Sequence, residues 1–324
     1  MGNDGGKVSW PQGLWAAVPT PFLPDQNLDL AGIAQNVRHF RDALGLTGIF
    51  CNGLMGEGWS LSLTERRQIV EATLAAADGR LAVGVVTTHG GIGETLELSR
   101  HAAEAGADHI VLMRPPGLFS PGELADFVRL VAQVVQGRII LFDSAAQSGG
   151  YPAAVIHDFG QEGLVHAVKC TRNGEAIGAL RAECDAFVTI CDPYENHALA
   201  NLVRYDARVL YADPEPYLYQ TARLRLIGDY FKAHIDHNPQ AMLSHHQRLE
   251  PLRRVYERWI QMPLMRGEPI NAALKHWCRH LGLAAGPVRR PLRELASDRA
   301  AALDADLEAA MVKVFGPALS LLPE

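Results

Sequence analysis

Short apolar runs alternate with longer amphipathic stretches along most of this 324-residue chain, at the spacing of repeated strand–helix units. Eight runs carry the strand pattern: Leu14 to Val18, Gly48 to Asn52, Leu81 to Val86, His109 to Met113, Arg138 to Phe142, Leu164 to Lys169, Phe187 to Cys191 and Ala207 to Tyr211. Apolar positions at helical spacing predict helices near 30–44, 63–78, 93–105, 121–136, 152–159, 173–182, 194–204 and 216–234. Eight strands alternating with eight helices predict an α/β fold, a (β/α)8 TIM barrel, and the chain is long enough for a barrel of roughly 250 residues plus an extension.

Local chemistry supports this register. Ser62-Leu63-Thr64-Glu65 places a serine three residues before a glutamate at a helix start, the pattern of a capping box. Gly79, Gly106 and Gly137 each follow a helix and precede a strand, where a left-handed residue is expected. Past residue 235 the strand pattern ends and helical patterns continue, with turns expected at Met262-Pro263 and from Gly282 to Pro291. The expected organisation is a loose tail over 1–10, a barrel over 11–234 and a C-terminal helical extension over 235–324.

Composition narrows the function. A hydrophobic share of 48% with 20% charged residues suits a soluble enzyme with a sizeable core rather than a disordered chain. The net charge of −6 lacks the basic footprint of a nucleic-acid binder. No apolar run reaches the ~18 residues of a membrane span, and the first residues have no signal-peptide core. Five widely spaced cysteines form no zinc or redox motif, so they read as reduced thiols of a cytoplasmic protein.

A barrel places its chemistry where the strands end. The chain holds five lysines against 25 arginines, and only Lys169 stands in strand-like apolar company, at the end of Leu164 to Lys169. An amine among apolar groups is driven toward its neutral, nucleophilic form, the condition for a Schiff-base lysine. The alternative at this point is a lysine that leaves the strand end for solvent. The same rule collects Pro19-Thr20, Asn52 to Glu57, Thr87-Thr88-His89, Arg114-Pro115-Pro116, Asp143-Ser144, Cys191-Asp192 and Ala212-Asp213.

Ala17-Val18-Pro19-Thr20-Pro21-Phe22, Gly53-Leu54-Met55-Gly56-Glu57 and Ser60 to Arg66 resemble the dihydrodipicolinate synthase and N-acetylneuraminate lyase family. So do Pro115-Pro116, Ile140 to Asp143, the strand ending on Lys169, and the C-terminal Leu274-Lys275 with Val288 to Leu292. The resemblance implies a class I aldolase-type mechanism without metal or other cofactor. Lys169 would form a Schiff base with a 2-oxo acid such as pyruvate, held by Gly53, Leu54 and Met55 and flanked by Phe142 and Asp143. It also implies a small-molecule partner and a homo-oligomer, a tetramer or dimer, with no nucleic-acid or membrane partner.

Departures from the family pattern set this chain apart. The threonine that passes a proton in the family's hydroxyl relay corresponds to Met55, and the relay tyrosine to Phe142; neither side chain has a hydroxyl. The arginine that grips a second carboxylate in the synthases falls near Gln147, and Arg114 to Phe119 lacks the tyrosine that many members lend to a neighbouring subunit. The expectation is therefore a lyase acting on a non-standard partner substrate, outside lysine biosynthesis, with a silent metabolite-binding sensor or scaffold as the alternative. Asp143, Tyr194, Tyr211 and His89 are the candidates to replace the missing relay, and Cys170 is expected to face the core.

Overall fold

Eight parallel strands follow one another as β1 (Gly13–Ala17), β2 (Gly48–Cys51), β3 (Ala82–Val86), β4 (His109–Met113), β5 (Ile139–Asp143), β6 (Val165–Cys170), β7 (Thr189–Cys191) and β8 (Val209–Ala212). The computed structural model describes residues 12–135, 139–144 and 150–316. The expectations for residues 1–10, Gly137, Arg138 and Gln147 lie outside the described residues. From β1 to β7 each strand pairs with the next, and β1 also pairs with β8, giving the order β7-β6-β5-β4-β3-β2-β1-β8. Their residues are apolar on both faces because one face meets the barrel interior and the other the surrounding helices.

The cylinder closes without a β7–β8 backbone ladder among the described residues. The Cys191 thiol bridges the seam instead: its Sγ accepts from the Tyr211 N–H at 3.1 Å and lies 3.6 Å from the Val209 carbonyl. Inside the barrel Trp15, Phe50 and Tyr211 pack with ring centroids 5.1 to 5.5 Å apart.

The helices between strands are α1 (Leu30–Arg38), α2 (Leu63–Ala77), α3 (Ile92–Glu104), α4 (Pro121–Val135), α5 (Ala153–Gln161), α6 (Gly174–Cys184) and α7 (Ala198–Tyr205). Ser62 and Glu65 form the expected capping box on α2. Gly79 and Gly106 take positive φ values of 62° and 97°. The expected helix 216–234 is instead two, α8 (Glu215–Leu218) and α9 (Leu226–Ile235). Gln220 makes the break: its amide donates to the Pro216 carbonyl, and its side-chain oxygen accepts from the Gly228 N–H.

Beyond α9 come α10 (Pro239–Arg248), α11 (Glu250–Tyr256), α12 (Met262–Met265), α13 (Asn271–His280) and α14 (Ser297–Phe315). The turn expected at Met262-Pro263 is absent, because a π-helical turn over Glu257–Gln261 carries the chain from α11 into α12. Its wider spacing accommodates a proline whose nitrogen has no hydrogen to give the preceding turn.

Helix α13 is tied to the loop after β2. Lys275 and Glu57, both without exposed side-chain surface, form an ion pair at 2.7 Å. The Asn271 side-chain amide donates to the carbonyls of Leu54 at 3.1 Å and Met55 at 3.5 Å. Among the described residues no helix is long and apolar enough to cross a membrane, and all five cysteines are buried and free.

Candidate active site

Strand β6 ends as the run of apolar residues predicts, and its alternation decides which way each side chain points. Lys169 projects into the mouth of the barrel with only 4% of its surface exposed. Cys170 points the other way into the core, as expected, with its thiol 3.4 Å from Asp143. The Lys169 ammonium sits 5.2 Å from the centroid of the Phe142 ring and 5.6 Å from that of Phe50. Its nearest partner is Asp213, whose Oδ1 accepts from Nζ at 2.6 Å; the Ala212 carbonyl accepts at 3.3 Å.

This pair lies in a cavity of about 610 Å³. Strand ends and the β2 loop contribute Phe50, Gly53, Leu54, Met55, Phe142 and Lys169. Ser144, Thr171, Tyr194, Asp213 and, exposed at the rim, Glu268 add polar atoms. The C-terminal segment closes over it with Tyr256, Gln261, Leu264, Met265, Ile270 and Asn271. The lining is mainly hydrocarbon, so a charge inside it is poorly solvated and interacts strongly with the few polar groups present.

The residues expected to form the site separate into two sets. Lys169, Gly53, Leu54, Met55 and Phe142 meet in this cavity. Asp143 does not join its lining: it follows Phe142 on the strand and faces the opposite side. There its carboxylate takes hydrogen bonds from Arg172 Nε at 2.5 Å and from the Tyr151 N–H at 2.6 Å. A fully buried carboxylate paired in this way braces the β5 and β6 ends against each other.

The candidates for a substitute relay separate in the same manner. Tyr194 lines the cavity, and burial, with the charge of Asp213 next, pushes its phenol up to about 12. Tyr211 lies in the interior against Trp15 and Phe50, and its hydroxyl has no hydrogen-bond partner among the described residues. His89 lines a neighbouring cavity with Trp59, Arg114, Pro115 and Pro116, and its Nδ1 accepts from the Gly91 N–H.

Three groups carry more weight here than the sequence suggested. Asp213 sat among the strand-end residues without a role. Glu215, two residues on, is 2% exposed; burial pushes its carboxyl well above the ordinary range, and the charge of Asp213 adds to the effect. The neighbouring Glu195 is neutralised by Arg253, which donates from Nε at 2.8 Å and from its terminal nitrogen at 2.8 Å. The only signal for the first two was their position after an apolar run. The third group, the cover over residues 256–271, carried no sequence signal beyond its helical pattern.

Comparison with known proteins identifies the family and its fold. The model of the dihydrodipicolinate synthetase family matches residues 10–310. A 4-hydroxy-tetrahydrodipicolinate synthase of Methanothrix thermoacetophila is 28% identical over 298 residues, covering 90% of this chain and 94% of that protein. An N-acetylneuraminate lyase of Gallus gallus is 39% identical over 127 residues, 37% of this chain and 40% of the relative's length. In three dimensions, a prophage protein of the dihydrodipicolinic acid synthase family from E. coli K12, solved with pyruvate, superposes with a TM-score of 0.80. That pair is 23% identical and covers 92% of this chain and 98% of the other. A match running along nearly the entire chain, on a barrel with a lysine at the end of its sixth strand, means that the protein belongs to the dihydrodipicolinate synthetase family.

Proposed function

We propose that the protein is a class I, Schiff-base-forming lyase that binds a 2-oxo acid such as pyruvate covalently through Lys169. The observation that carries this reading is a single lysine amine at the inner end of β6, in a largely apolar cavity at the face of the barrel where such folds place their chemistry. Family membership supports it. The amine attacks the ketone carbon of the oxo acid, and loss of water leaves an iminium. This cation draws electrons from the neighbouring carbon, so a carbon–carbon or carbon–oxygen bond there breaks or forms. The backbone N–H groups of Gly53 to Met55 are suited to the oxo acid's carboxylate.

The partner substrate is of a different character from a second acid. Among the described residues, Lys169 is the one cationic side chain in the lining, and no arginine faces the cavity. Leu54, Met55, Leu264, Met265 and Ile270 favour an aldehyde or leaving group with a neutral, apolar body.

The test is the intact mass after incubation with pyruvate and a panel of larger 2-oxo acids, followed by borohydride reduction. A ligand-sized increase that disappears in Lys169→Ala supports the reading. No adduct with any oxo acid refutes it. One feature favours a second reading, a silent metabolite-binding barrel: Met55 and Phe142 bring no hydroxyl to the amine. Saturable oxo-acid binding by calorimetry without a trappable adduct is the result that selects it.

A further inference from the structure

A lysine that forms an iminium must first lose a proton, and the carbinolamine that follows must gain one at its hydroxyl. In this cavity Phe142 and Met55 can do neither. We propose that Asp213 is the acid–base group of this reaction, exchanging its proton directly with Lys169 Nζ across their 2.6 Å contact and thereby replacing a hydroxyl relay. The inference rests on the Schiff-base reading above.

The geometry supplies what the step needs. Asp213 follows β8 and is 9% exposed, on the same cavity wall as Lys169, so the amine reaches a carboxylate without an intervening group. Lys169 contacts Asp213 directly, Tyr194 and Tyr256 share its cavity lining, and Glu215 and Tyr217 feel its charge. Burial raises all three phenols, so they stay protonated. Glu215 is held toward its neutral form, and Glu195 behind it is paired with Arg253. Of the two carboxylates in the described cavity lining, Glu268 is exposed at the rim, and Asp213 is the buried one, in direct contact with the lysine.

The protons balance through the cycle. Asp213 takes one proton from the ammonium, and as the freed nitrogen pair attacks the ketone carbon the protonated Asp213 gives that proton to the carbonyl oxygen, becoming a carboxylate again. Asp213 then mediates proton transfer from nitrogen to the carbinolamine hydroxyl, which leaves as water. Ammonium plus ketone become iminium plus water, and the aspartate ends as it began, a carboxylate beside the new cation.

The experiment measures the rate of borohydride-trapped adduct formation with the best-labelling oxo acid, in the wild type, Asp213→Ala and Asp213→Glu, with formate added to the alanine variant. Loss of the group is expected to slow trapping by about 10² to 10⁴-fold. Formate, which fits the space left by the side chain, should restore part of the rate in proportion to its concentration. Wild-type trapping in the alanine variant overturns the proposal. A slow rate that neither formate nor the glutamate restores also overturns it, assigning Asp213 to bracing the strand end. If the alanine variant does not fold, Asp213→Asn carries the same comparison in a side chain of equal shape: slow trapping at an unchanged melting temperature supports the role, and a wild-type rate overturns it. A wild type that forms no adduct refutes the Schiff-base reading itself and takes this proposal with it.

Discussion

Lys275→Met tests how α13 is locked onto the loop after β2. Lys275 Nζ lies 2.7 Å from Glu57 Oε1, donates to the Pro287 carbonyl at 2.7 Å and sits 4.1 Å from the Phe22 ring centroid. Neither side chain of the pair is exposed. Methionine matches the length of the lysine stem but removes the cation, and among the described residues Glu57 then keeps only the Arg289 N–H, at 2.8 Å on its other oxygen. An uncompensated buried carboxylate is costly: breaking such a pair from one side destabilises by about 3–5 kcal/mol, roughly two to three and a half orders of magnitude in the folding equilibrium. Equilibrium urea unfolding followed by tryptophan fluorescence reads the loss. Adding Glu57→Gln to Lys275→Met should recover a large part of it, because the orphaned charge is gone. A single-variant loss below about 1 kcal/mol would refute the reasoning, which takes its magnitude from an uncompensated buried charge. A double variant no more stable than the single one would place the cost in packing rather than in electrostatics.

Two further expectations concern pH. Glu215 has a folded pKa raised above its ordinary 4.5, chiefly by burial, so the folded chain holds its proton more tightly than the unfolded one; its contribution to stability is full below 4.5 and declines as pH rises toward the folded value. Glu215→Gln should therefore flatten the fall in melting temperature between pH 5 and 8, and an unchanged slope would count against a neutral Glu215. His197 has its pKa raised above 6.5 mainly by the hydrogen bond to Asp192, 2.9 Å from Nδ1, so its contribution is present below 6.5 and lost as pH rises through the folded value. Asp192→Asn should lower the His197 titration midpoint seen by NMR, and an unmoved midpoint would remove Asp192 as the cause.

Much of the fold was legible because parallel strands buried on both sides leave uninterrupted apolar runs. Seven runs meet the described strands within about two residues at either end. The fifth, begun at Arg138, is described from Ile139 onward. The breaks were harder to read. Nothing about Gln220 itself distinguishes a helix position from one that bonds to backbone on both sides of a break, and Gly228, a poor helix former, was the one local hint. Pro263 misled in the opposite sense, because a π turn several residues earlier absorbs its missing hydrogen.

Lys169 and Met55, both collected by the strand-end rule, line the cavity, while a single step of alternation put Phe142 inside and Asp143 outside. Asp213 could not be weighed from sequence. A carboxylate before Pro214 serves a helix start as readily as an active site. Only the fold shows that the ends of β6 and β8 share one wall of the mouth.

The thiol-bridged seam has a mechanical consequence for that wall. Going round the barrel the long way, Lys169 and Asp213 belong to strands joined by continuous backbone pairing, which is stiff. Going the short way, the connection passes from Lys169 to its register partner Cys191 and then across a sulfur contact to the Tyr211 amide. The distance between the amine and its carboxylate is therefore spanned by the most compliant joint in the cylinder. Under the proposed Schiff-base chemistry, a ligand that wedges a new carbon–nitrogen bond between those two groups meets the barrel, among the described residues, where its backbone pairing is interrupted.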